Sequence, residues 1–224
     1  DSFDEFIQDT YLSYFFTAFC LMILINGTNF IDGLNGLLIG YFTIIILILY
    51  KTNLIYTLDL PIKKLTFFIL VILFLFFMNI FNKLFMGDNG AYSLGFLIGF
   101  ILIEIYNSNK EISPYFIVLL LWYPCFENLF SIIRKILFKI NPLKPDTGHL
   151  HQKLFVFLKK KFKFSIIKSN ILSSLSILLF NMGIFYLSSH AINHTSSQIL
   201  LLLFSIITYV VLFALLSNKI KRIT

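Results

Sequence analysis

Apolar residues run through most of this chain in long blocks, which short polar segments separate. We identify seven blocks of roughly 15 to 25 residues, the length that crosses about 30 Å of hydrocarbon as an α-helix. They cover residues 12–25, 36–50, 65–81, 91–106, 114–137, 166–189 and 198–217. Runs such as 67–77 do not alternate between apolar and polar residues as strands of a membrane barrel do. The pattern predicts an all-α fold, a polytopic transmembrane helical bundle of about seven spans.

Composition supports a bilayer as the environment of the whole chain. The 224 residues are 58% hydrophobic and include 28 Phe, whereas only 13% are charged. A soluble domain of this size could not bury so much apolar surface, so we expect residues 1–224 to form a single transmembrane domain. The chain begins at Asp1 without the basic start of a signal peptide, which we interpret as a fragment truncated at its amino-terminal side. Cys20 and Cys125 lie inside apolar blocks and indicate no disulfide framework.

The basic residues divide unequally between the two sides that seven helices define. Fourteen of the 18 Lys and Arg residues fall on one side, including every one in the segment 134–165. Loops rich in Lys and Arg stay in the cytoplasm, so this segment is predicted to be a basic cytoplasmic loop. The carboxy terminus is then cytoplasmic and the amino terminus outside. The cluster at 159–163 is typical of a stop signal that contacts anionic lipid, so the basic charge does not indicate nucleic acid.

The first polar segment, NGTNFIDGLNG, covers residues 26–36. Asn26, Asn29, Asp32 and Asn35 recur at every third position, which on a helix rotates each side chain by about 60° from the one before. These residues would line a slowly turning polar arc that faces protein or water, and an ionisable residue at this depth usually has a function. The alternative is a glycine-rich turn between helices in which Asp32 or Asn35 caps the next helix.

The second polar segment, FMGDNGAYSLG, covers residues 85–95 and opens an apolar block. A helix start leaves free amide donors and a partial positive charge, which suit phosphate oxygens. The carboxylate of Asp88, beside Asn89, would also suit Mg²⁺, which takes a few protein oxygens together with water and substrate phosphates. The alternative is that Asp88 only caps the helix.

The third polar segment lies in the basic loop and ends in His149-Leu150-His151. Two histidines spaced in this way point to the same side if the chain is extended, as nearby Pro and Gly residues favour. Zinc would need further Cys or His ligands, and none is nearby in the sequence. Contact with phosphate or acid-base chemistry fits better, and a solvated histidine pair is the alternative.

A carboxylate within an apolar block adds a fourth element. Glu127 lies in the block 114–137, after Pro124, where we predict a kink in the helix. Arg134 follows two turns later and would share its face. An internal ion pair that supports packing and a catalytic role are both open.

These four segments, in this order, resemble the polyprenyl-phosphate N-acetylhexosamine-1-phosphate transferases of glycosyltransferase family 4, which include undecaprenyl-phosphate N-acetylglucosamine-1-phosphate transferases. The resemblance implies a bacterial inner-membrane enzyme of ten or eleven spans with a cytoplasmic active site, Mg²⁺ or Mn²⁺ as cofactor, and UDP-N-acetylhexosamine and polyprenyl phosphate as substrates. It implies catalytic roles for Asp32, Asp88, His149 and His151, metal binding by Asp88, and substrate binding by Asn26, Asn29, Asn35, Asn89 and Arg134.

The chain departs from the family pattern in one important respect. The family carries an aspartate pair on an earlier cytoplasmic loop, and this pair is missing here. Asp4 and Glu5 are adjacent carboxylates, but the predicted topology puts them on the outer side, so we do not expect them to substitute. Asn35 stands where many members have Asp, and Gln152 stands where some have a third His. We therefore expect this fragment to be inactive alone.

Two other classes of function stay open at this stage. In a transporter or channel, Asp32, Asp88 and Glu127 would form an ion path, although such sites lie near the midplane of the bilayer and these segments gather at one face. A membrane fragment with a purely structural role is the third reading. The sequence does not decide whether the chain forms a homodimer.

Overall fold

The computed structural model describes residues 10–58, 60–137, 139 and 148–223, and within these ranges the chain is helical with no β-strand. A short 3₁₀ helix, Leu54–Leu58, follows the second α-helix. The α-helices are α1 (Thr10–Ile31), α2 (Leu37–Lys51), α3 (Ile62–Ile80), α4 (Gly87–Ser108), α5 (Pro114–Leu137), α6 (Leu150–Phe162), α7 (Ile166–Ser188) and α8 (Thr195–Ile223). The prediction of an all-α polytopic bundle is confirmed.

Six helices in the described part of the chain are long and apolar enough to cross a membrane, namely α1, α3, α4, α5, α7 and α8. The remaining apolar helix, α2, has 15 residues. At 1.5 Å per residue it is about 22 Å long, shorter than the hydrocarbon thickness of about 30 Å. One of the seven predicted blocks therefore forms a shorter helix, and the other six form candidate spans.

Helix α2 lies at the centre of the bundle and is apolar on every face. Most of its side chains are buried, including Tyr41 and Phe42, which are both 0% exposed. The Tyr41 hydroxyl donates to the Leu120 carbonyl of α5 at 2.8 Å, which satisfies the one polar atom of that side chain. Helices α3 and α7 also pack against α2. A helix that other helices surround is expected to carry apolar residues on all its faces, as α2 does.

Helices α1 and α5 cross at very close range. A β-carbon added to Gly27 would lie 2.1 Å from the Pro124 carbonyl oxygen, so only glycine fits at this position. Near the crossing, the Asn128 side chain donates to the Ile23 carbonyl at 3.0 Å. Helix α5 runs from Pro114 to Leu137 through Pro124 as one helix. The close crossing therefore depends on the small residue of α1.

Contacts between helix ends show that the helices alternate in direction. At one end, Asn29 of α1 bonds Tyr92 near the start of α4, and Ser174 of α7 bonds the Asn35 carbonyl just before α2. At the other end, Lys51 at the end of α2 donates to Ser189 just after α7 at 2.8 Å. The ends of α1, α3 and α5 and the starts of α2, α4 and α7 consequently gather at one side, with α6 beside them.

Candidate active site

The last turns of α1 carry the first polar segment. The predicted block stopped at residue 25, whereas α1 continues to Ile31. The helix tolerates these polar residues because their side chains bond its own backbone: Asn26 donates to the Met22 carbonyl at 2.9 Å and Thr28 to the Ile25 carbonyl at 2.7 Å. Asn26 is exposed. Its side chain is thus turned to its own helix and not to the second segment.

A direct hydrogen bond joins the first and second polar segments. Asn29 Nδ2 donates to the Tyr92 hydroxyl oxygen of α4 at 2.7 Å. One residue earlier, Thr28 Oγ1 lies 3.1 Å from the Ala91 carbonyl oxygen. Tyr92 was not among the predicted site residues, because a tyrosine near a helix start carries no distinctive signal.

A tight turn links α1 to α2 and is fixed by a side chain of α3. Gly36 occupies the N-cap position of α2 with a φ of 79°, a left-handed conformation that favours glycine. Its N–H donates to Asn79 Oδ1 at 2.5 Å, while Asn79 Nδ2 donates to the Leu84 carbonyl at 2.8 Å. The Asn35 carbonyl accepts from Ser174, so the turn is also held from α7. Neither Asp32 nor Asn35 is the helix cap.

The second segment presents its polar side chains at the start of α4. Met86 occupies the N-cap position, and Asp88 lies in the first turn of the helix. Asp88 and Asn89 are both exposed. The N–H groups of this first turn have no acceptor one turn earlier within the helix, and the helix dipole adds partial positive charge there. Asp88 is therefore not the N-cap residue of α4, and its binding role stays a prediction.

The carboxylates of Asp32 and Asp88 influence each other electrostatically. Asp32 directly follows α1 and is half-buried. Burial, with a further contribution from the negative charge of Asp88, raises the pKa of Asp32 to about 6. A like charge nearby makes ionisation of both groups unfavourable. A cation or a hydrogen-bond donor at this position would offset the repulsion.

The third segment is anchored by Glu127 of α5. His149 precedes α6, and its Nδ1 lies 2.9 Å from Glu127 Oε2. The Leu150 N–H donates to Glu127 Oε1 at 3.2 Å, and His151 Nδ1 lies 3.6 Å from the same oxygen. The pair was predicted to align on an extended chain, but only His149 is extended and His151 lies within α6. Both rings nevertheless face one carboxylate, because α6 starts directly beside α5.

The histidine pair also touches the first segment. The rings of His149 and His151 are within 7° of parallel, with centroids 5.6 Å apart, and the Phe30 ring of α1 lies 4.9 Å from His149. His151 is 0% exposed, and its Nε2 makes no hydrogen bond with the residues that the structure describes. That nitrogen is directed at the turn after α1, where a β-carbon on Gly33 would lie 3.1 Å from it.

Basic side chains surround the start of α6. Arg134 of α5 donates to the Gly148 carbonyl, and its guanidinium carbon lies 5.3 Å from the centre of the Phe213 ring of α8. Lys153 Nζ lies 4.7 Å from the centre of the same ring. Partial burial, followed by the charges of Arg134 and Lys221, lowers the pKa of Lys153. An anion bound here would offset the repulsion among these cations. Arg134 and Glu127 both contact the segment at 148–151, and the choice between an internal ion pair and a catalytic role stays open.

Most of the predicted site residues are brought to one end of the bundle. Contacts with other segments are made by Asn29, Asn35, Arg134, His149 and His151. Asp32 and Asp88 influence each other electrostatically, and Asn26 and Asn89 are exposed. Their catalytic and binding roles stay predictions. The ion-path alternative required Asp32, Asp88 and Glu127 along the bundle, but all three lie at the same end. Asp4 and Glu5, and residues 142–147 of the third segment, lie outside the described residues.

The donor set at this end can be compared with the needs of Mg²⁺. Among the residues described, no group of three or more His, Cys, Asp and Glu side chains is placed to hold a metal ion. Mg²⁺ in phosphate-handling sites is usually held by one or two carboxylates together with substrate phosphates and water. Asp88 is exposed at a helix start, and its negative charge contributes to the raised pKa of Asp32. These residues fit a Mg²⁺ ion that binds together with a phosphate-bearing substrate.

The fold and the polar end of the bundle define a multi-pass helical membrane protein. Residues 2–106 match the family described as glycosyl transferase family 4. The chain is 34% identical over 154 residues to a probable undecaprenyl-phosphate N-acetylglucosaminyl 1-phosphate transferase of Bacillus subtilis, covering 66% of this chain and 42% of the relative.

Two further relatives are named undecaprenyl-phosphate alpha-N-acetylglucosaminyl 1-phosphate transferase. The Escherichia coli K12 protein is 30% identical over 62% of this chain and 39% of its own length. The Thermotoga maritima protein is 27% identical over 61% of this chain and 40% of its own length. The chain thus spans about two-fifths of the curated relatives it matches. No solved structure matches the chain.

Proposed function

We propose that the protein transfers N-acetylhexosamine-1-phosphate from a UDP-sugar to polyprenyl phosphate and so initiates synthesis of a cell-envelope polysaccharide. One observation carries the proposal: three polar segments that are far apart in the sequence meet at one end of an apolar bundle. The Asn29–Tyr92 hydrogen bond joins the first two, and the ring contact of Phe30 with His149 joins the third to the first. The names of the relatives favour N-acetylglucosamine as the sugar and undecaprenyl phosphate as the acceptor.

In the proposed reaction, an oxygen of the lipid phosphate attacks the β-phosphorus of the UDP-sugar. The bond from that phosphorus to the bridging oxygen breaks, UMP leaves with this oxygen, and a lipid diphosphosugar remains. Such transfers depend mainly on positioning and charge stabilisation. Mg²⁺ bound by Asp88, or Mn²⁺ in its place, would supply neutralisation of the diphosphate charge.

The protein side chains would share the remaining tasks. The amides at the start of α4 and the cation of Arg134 would bind phosphate oxygens, because both present donors with positive charge. The histidines would contact the nucleotide-sugar phosphates through the ring nitrogens that face away from Glu127. Asp32 and the amides Asn26, Asn29, Asn35 and Asn89 would orient the substrates.

An apolar cavity offers space for part of the lipid tail. It lies between α1, α4, α5 and α8, has a volume of about 440 Å³ and is lined by residues such as Leu24, Trp122 and Ile206. An isoprenoid chain is apolar and would be stabilised there by the removal of its surface from water. The cavity and the polar end share helices α1, α4 and α5, so one acceptor could reach both.

The site end of the bundle is also the basic end, which supports a cytoplasmic active site in the bacterial inner membrane. Single-cysteine variants at Lys219 and at Lys63, in a background in which Cys20 and Cys125 are replaced by Ala, would test this. We expect a membrane-impermeant maleimide to label the Lys63 position in intact spheroplasts and the Lys219 position only after permeabilisation. The opposite labelling pattern would refute the orientation.

Release of UMP tests the activity itself. Membranes containing the protein expressed from its complete gene would be supplied with undecaprenyl phosphate, UDP-N-acetylglucosamine and Mg²⁺. We expect release of UMP that depends on Mg²⁺ and on the lipid, and a loss of about 100-fold or more in Asp88→Asn. We expect residues 1–224 alone to be inactive, because the aspartate pair of the family is absent from them.

A matched control is available on the same helix. Glu104 of α4 is an exposed carboxylate near the other end, about 24 Å from Asp88 along the helix axis. Glu104→Gln removes the same charge and should leave UMP release unchanged. Undiminished release by Asp88→Asn would reject the assigned site.

A further inference from the structure

One buried carboxylate organises both histidines of the third segment. Glu127 is 1% exposed, and its two oxygens take different partners. Oε2 lies 2.9 Å from His149 Nδ1. Oε1 accepts the Leu150 N–H and the Tyr123 hydroxyl, each at 3.2 Å, and lies 3.6 Å from His151 Nδ1. The same side chain therefore faces Nδ1 of both imidazole rings.

A carboxylate that faces Nδ1 determines where each ring carries its proton. An ionised carboxylate only accepts hydrogen bonds, so the imidazole nitrogen beside it carries hydrogen. The nitrogen left to meet a ligand is then Nε2. Neither ring nitrogen of His151 makes a hydrogen bond with the described residues: Nδ1 lies 3.6 Å from Glu127 Oε1, and Nε2 is buried beside Gly33.

We propose that Glu127 is a positioning residue, which holds His149 and His151 with Nδ1–H towards its carboxylate and with Nε2 turned to the substrate phosphates, to which the Nε2–H of the imidazolium form can donate. This inference rests on the proposed function for the identity of the ligand. The two ring planes are within 7° of parallel, an orientation that agrees with a shared partner. Glu127 would act through the histidines and would not touch the substrate itself.

A purely structural role explains the carboxylate less well. Burial of a carboxylate is costly, and an apolar residue of similar volume often stabilises a core as much or more. The start of α6 also has a capping interaction of its own, since the His149 N–H donates to Gln152 Oε1 at 3.4 Å. What an apolar residue could not supply is two acceptor oxygens for two imidazoles.

Nitrogen NMR of the histidine rings tests the inference without any activity measurement. The chain has four His residues, and substitution of His149 and His151 by Gln would assign their signals. We expect a protonated Nδ1 on both rings. In Glu127→Gln the amide offers one acceptor and one donor, so the signals of at least one ring should show loss or transfer of the Nδ1 proton. Spectra unchanged from the unsubstituted protein would overturn the inference.

The same variants give a kinetic test. Glu127→Gln should lower kcat for UMP release by about 10- to 100-fold and alter its pH profile, while Glu127→Asp should recover part of the loss because it keeps both oxygens. In a His149→Gln background, Glu127→Gln should lower kcat much less, since the histidine partner of the carboxylate is already removed. A double variant whose loss of kcat equals the product of the two single losses would overturn the inference.

Controls separate this inference from folding and from the proposed function. Glu104→Gln should change neither the histidine signals nor kcat. If Glu127→Gln fails to accumulate in membranes, Glu127→Asp replaces it in the same comparison. We then expect an altered His149 signal and a reduced kcat. If neither the signal nor kcat changes, the inference is overturned. If the unsubstituted protein releases no UMP, the proposed function fails, while the NMR result still decides the position of the protons.

Discussion

Asn29 Nδ2 donates to the hydroxyl oxygen of Tyr92 at 2.7 Å, and this bond links α1 to α4 where both helices approach the polar end of the bundle. Asp32 follows Asn29 by three residues, and Asp88 precedes Tyr92 by four. Each carboxylate therefore lies about one helical turn beyond the bond, towards the same end. The bond places the two carboxylates relative to each other without touching either one.

Substitution Tyr92→Phe should lower activity while leaving the fold intact. The ring remains, but Asn29 loses its acceptor, a change of about 1 kcal/mol that loosens the relative position of α1 and α4. We expect UMP release to fall by about 10- to 100-fold, because small displacements of positioned groups cost that much. Tyr106→Phe, on the same helix at the other end, should have no effect. Equal activity of both variants would contradict the role given to this bond.

Gly33→Ala tests the space beside the buried histidine. The added methyl group would lie 3.1 Å from His151 Nε2, a contact tighter than side chains normally make. We expect the variant to fold and to bind UDP-sugar more weakly by about tenfold, because Nε2 is the nitrogen available to a ligand. Binding would be measured as thermal protection by UDP-N-acetylglucosamine.

The control for this substitution is Gly183→Ala. Gly183 lies in α7, and a β-carbon there meets nothing within 4 Å. Alanine in an exposed helix should keep or slightly raise stability, by up to about 1 kcal/mol, and leave binding unchanged. If Gly33→Ala binds UDP-sugar as well as Gly183→Ala does, His151 Nε2 is not part of the binding site.

The sequence predicted the helices well and their partners less well. The apolar blocks predicted the helices of the bundle, because the thickness of the hydrocarbon sets the length of a membrane-spanning helix. The distribution of basic residues indicated the end of the bundle at which the polar segments meet. Spacing along one helix put Glu127 and Arg134 on one face and left an ion pair and a catalytic role open. In the folded chain α6 brings His149 to the carboxylate, a tertiary contact that no local periodicity encodes.

Asn79 shows a signal that the sequence did contain. It is a single amide near the end of the apolar block 65–81, and a polar residue in such a block usually has a defined partner. The partner atoms are backbone groups of Gly36 and Leu84, in two turns that precede α2 and α4. Backbone partners leave no trace in side-chain patterns, so the residue could be singled out but its role could not.

Asn79→Leu should destabilise the protein, because the substitution keeps the volume and removes both hydrogen bonds. The buried Gly36 N–H would be left without an acceptor, which costs about 1–3 kcal/mol. We expect a lower thermal unfolding midpoint in detergent, by about 2–4 °C for each kcal/mol in a chain of this size. Asn107→Leu, at an exposed position of α4, is the control and should leave the midpoint nearly unchanged. A midpoint for Asn79→Leu equal to that of the control would show that the two turns do not depend on this side chain.

Gly27→Ala should be the most damaging of these substitutions to the fold. A β-carbon at this position would lie 2.1 Å from the Pro124 carbonyl oxygen and 2.5 Å from its carbon, and backbone atoms cannot rotate away as a side chain can. Helices α1 and α5 would have to separate, which would weaken the hydrogen bond from Asn128 to the Ile23 carbonyl. The segment of α5 that carries Glu127 would then be less firmly held against α1. We expect a cost of about 3 kcal/mol or more and little folded protein in membranes, measured by size-exclusion chromatography after detergent extraction. Gly183→Ala again serves as the control, and monodisperse Gly27→Ala protein in equal yield would mean that the two helices tolerate a wider crossing than the described contact indicates.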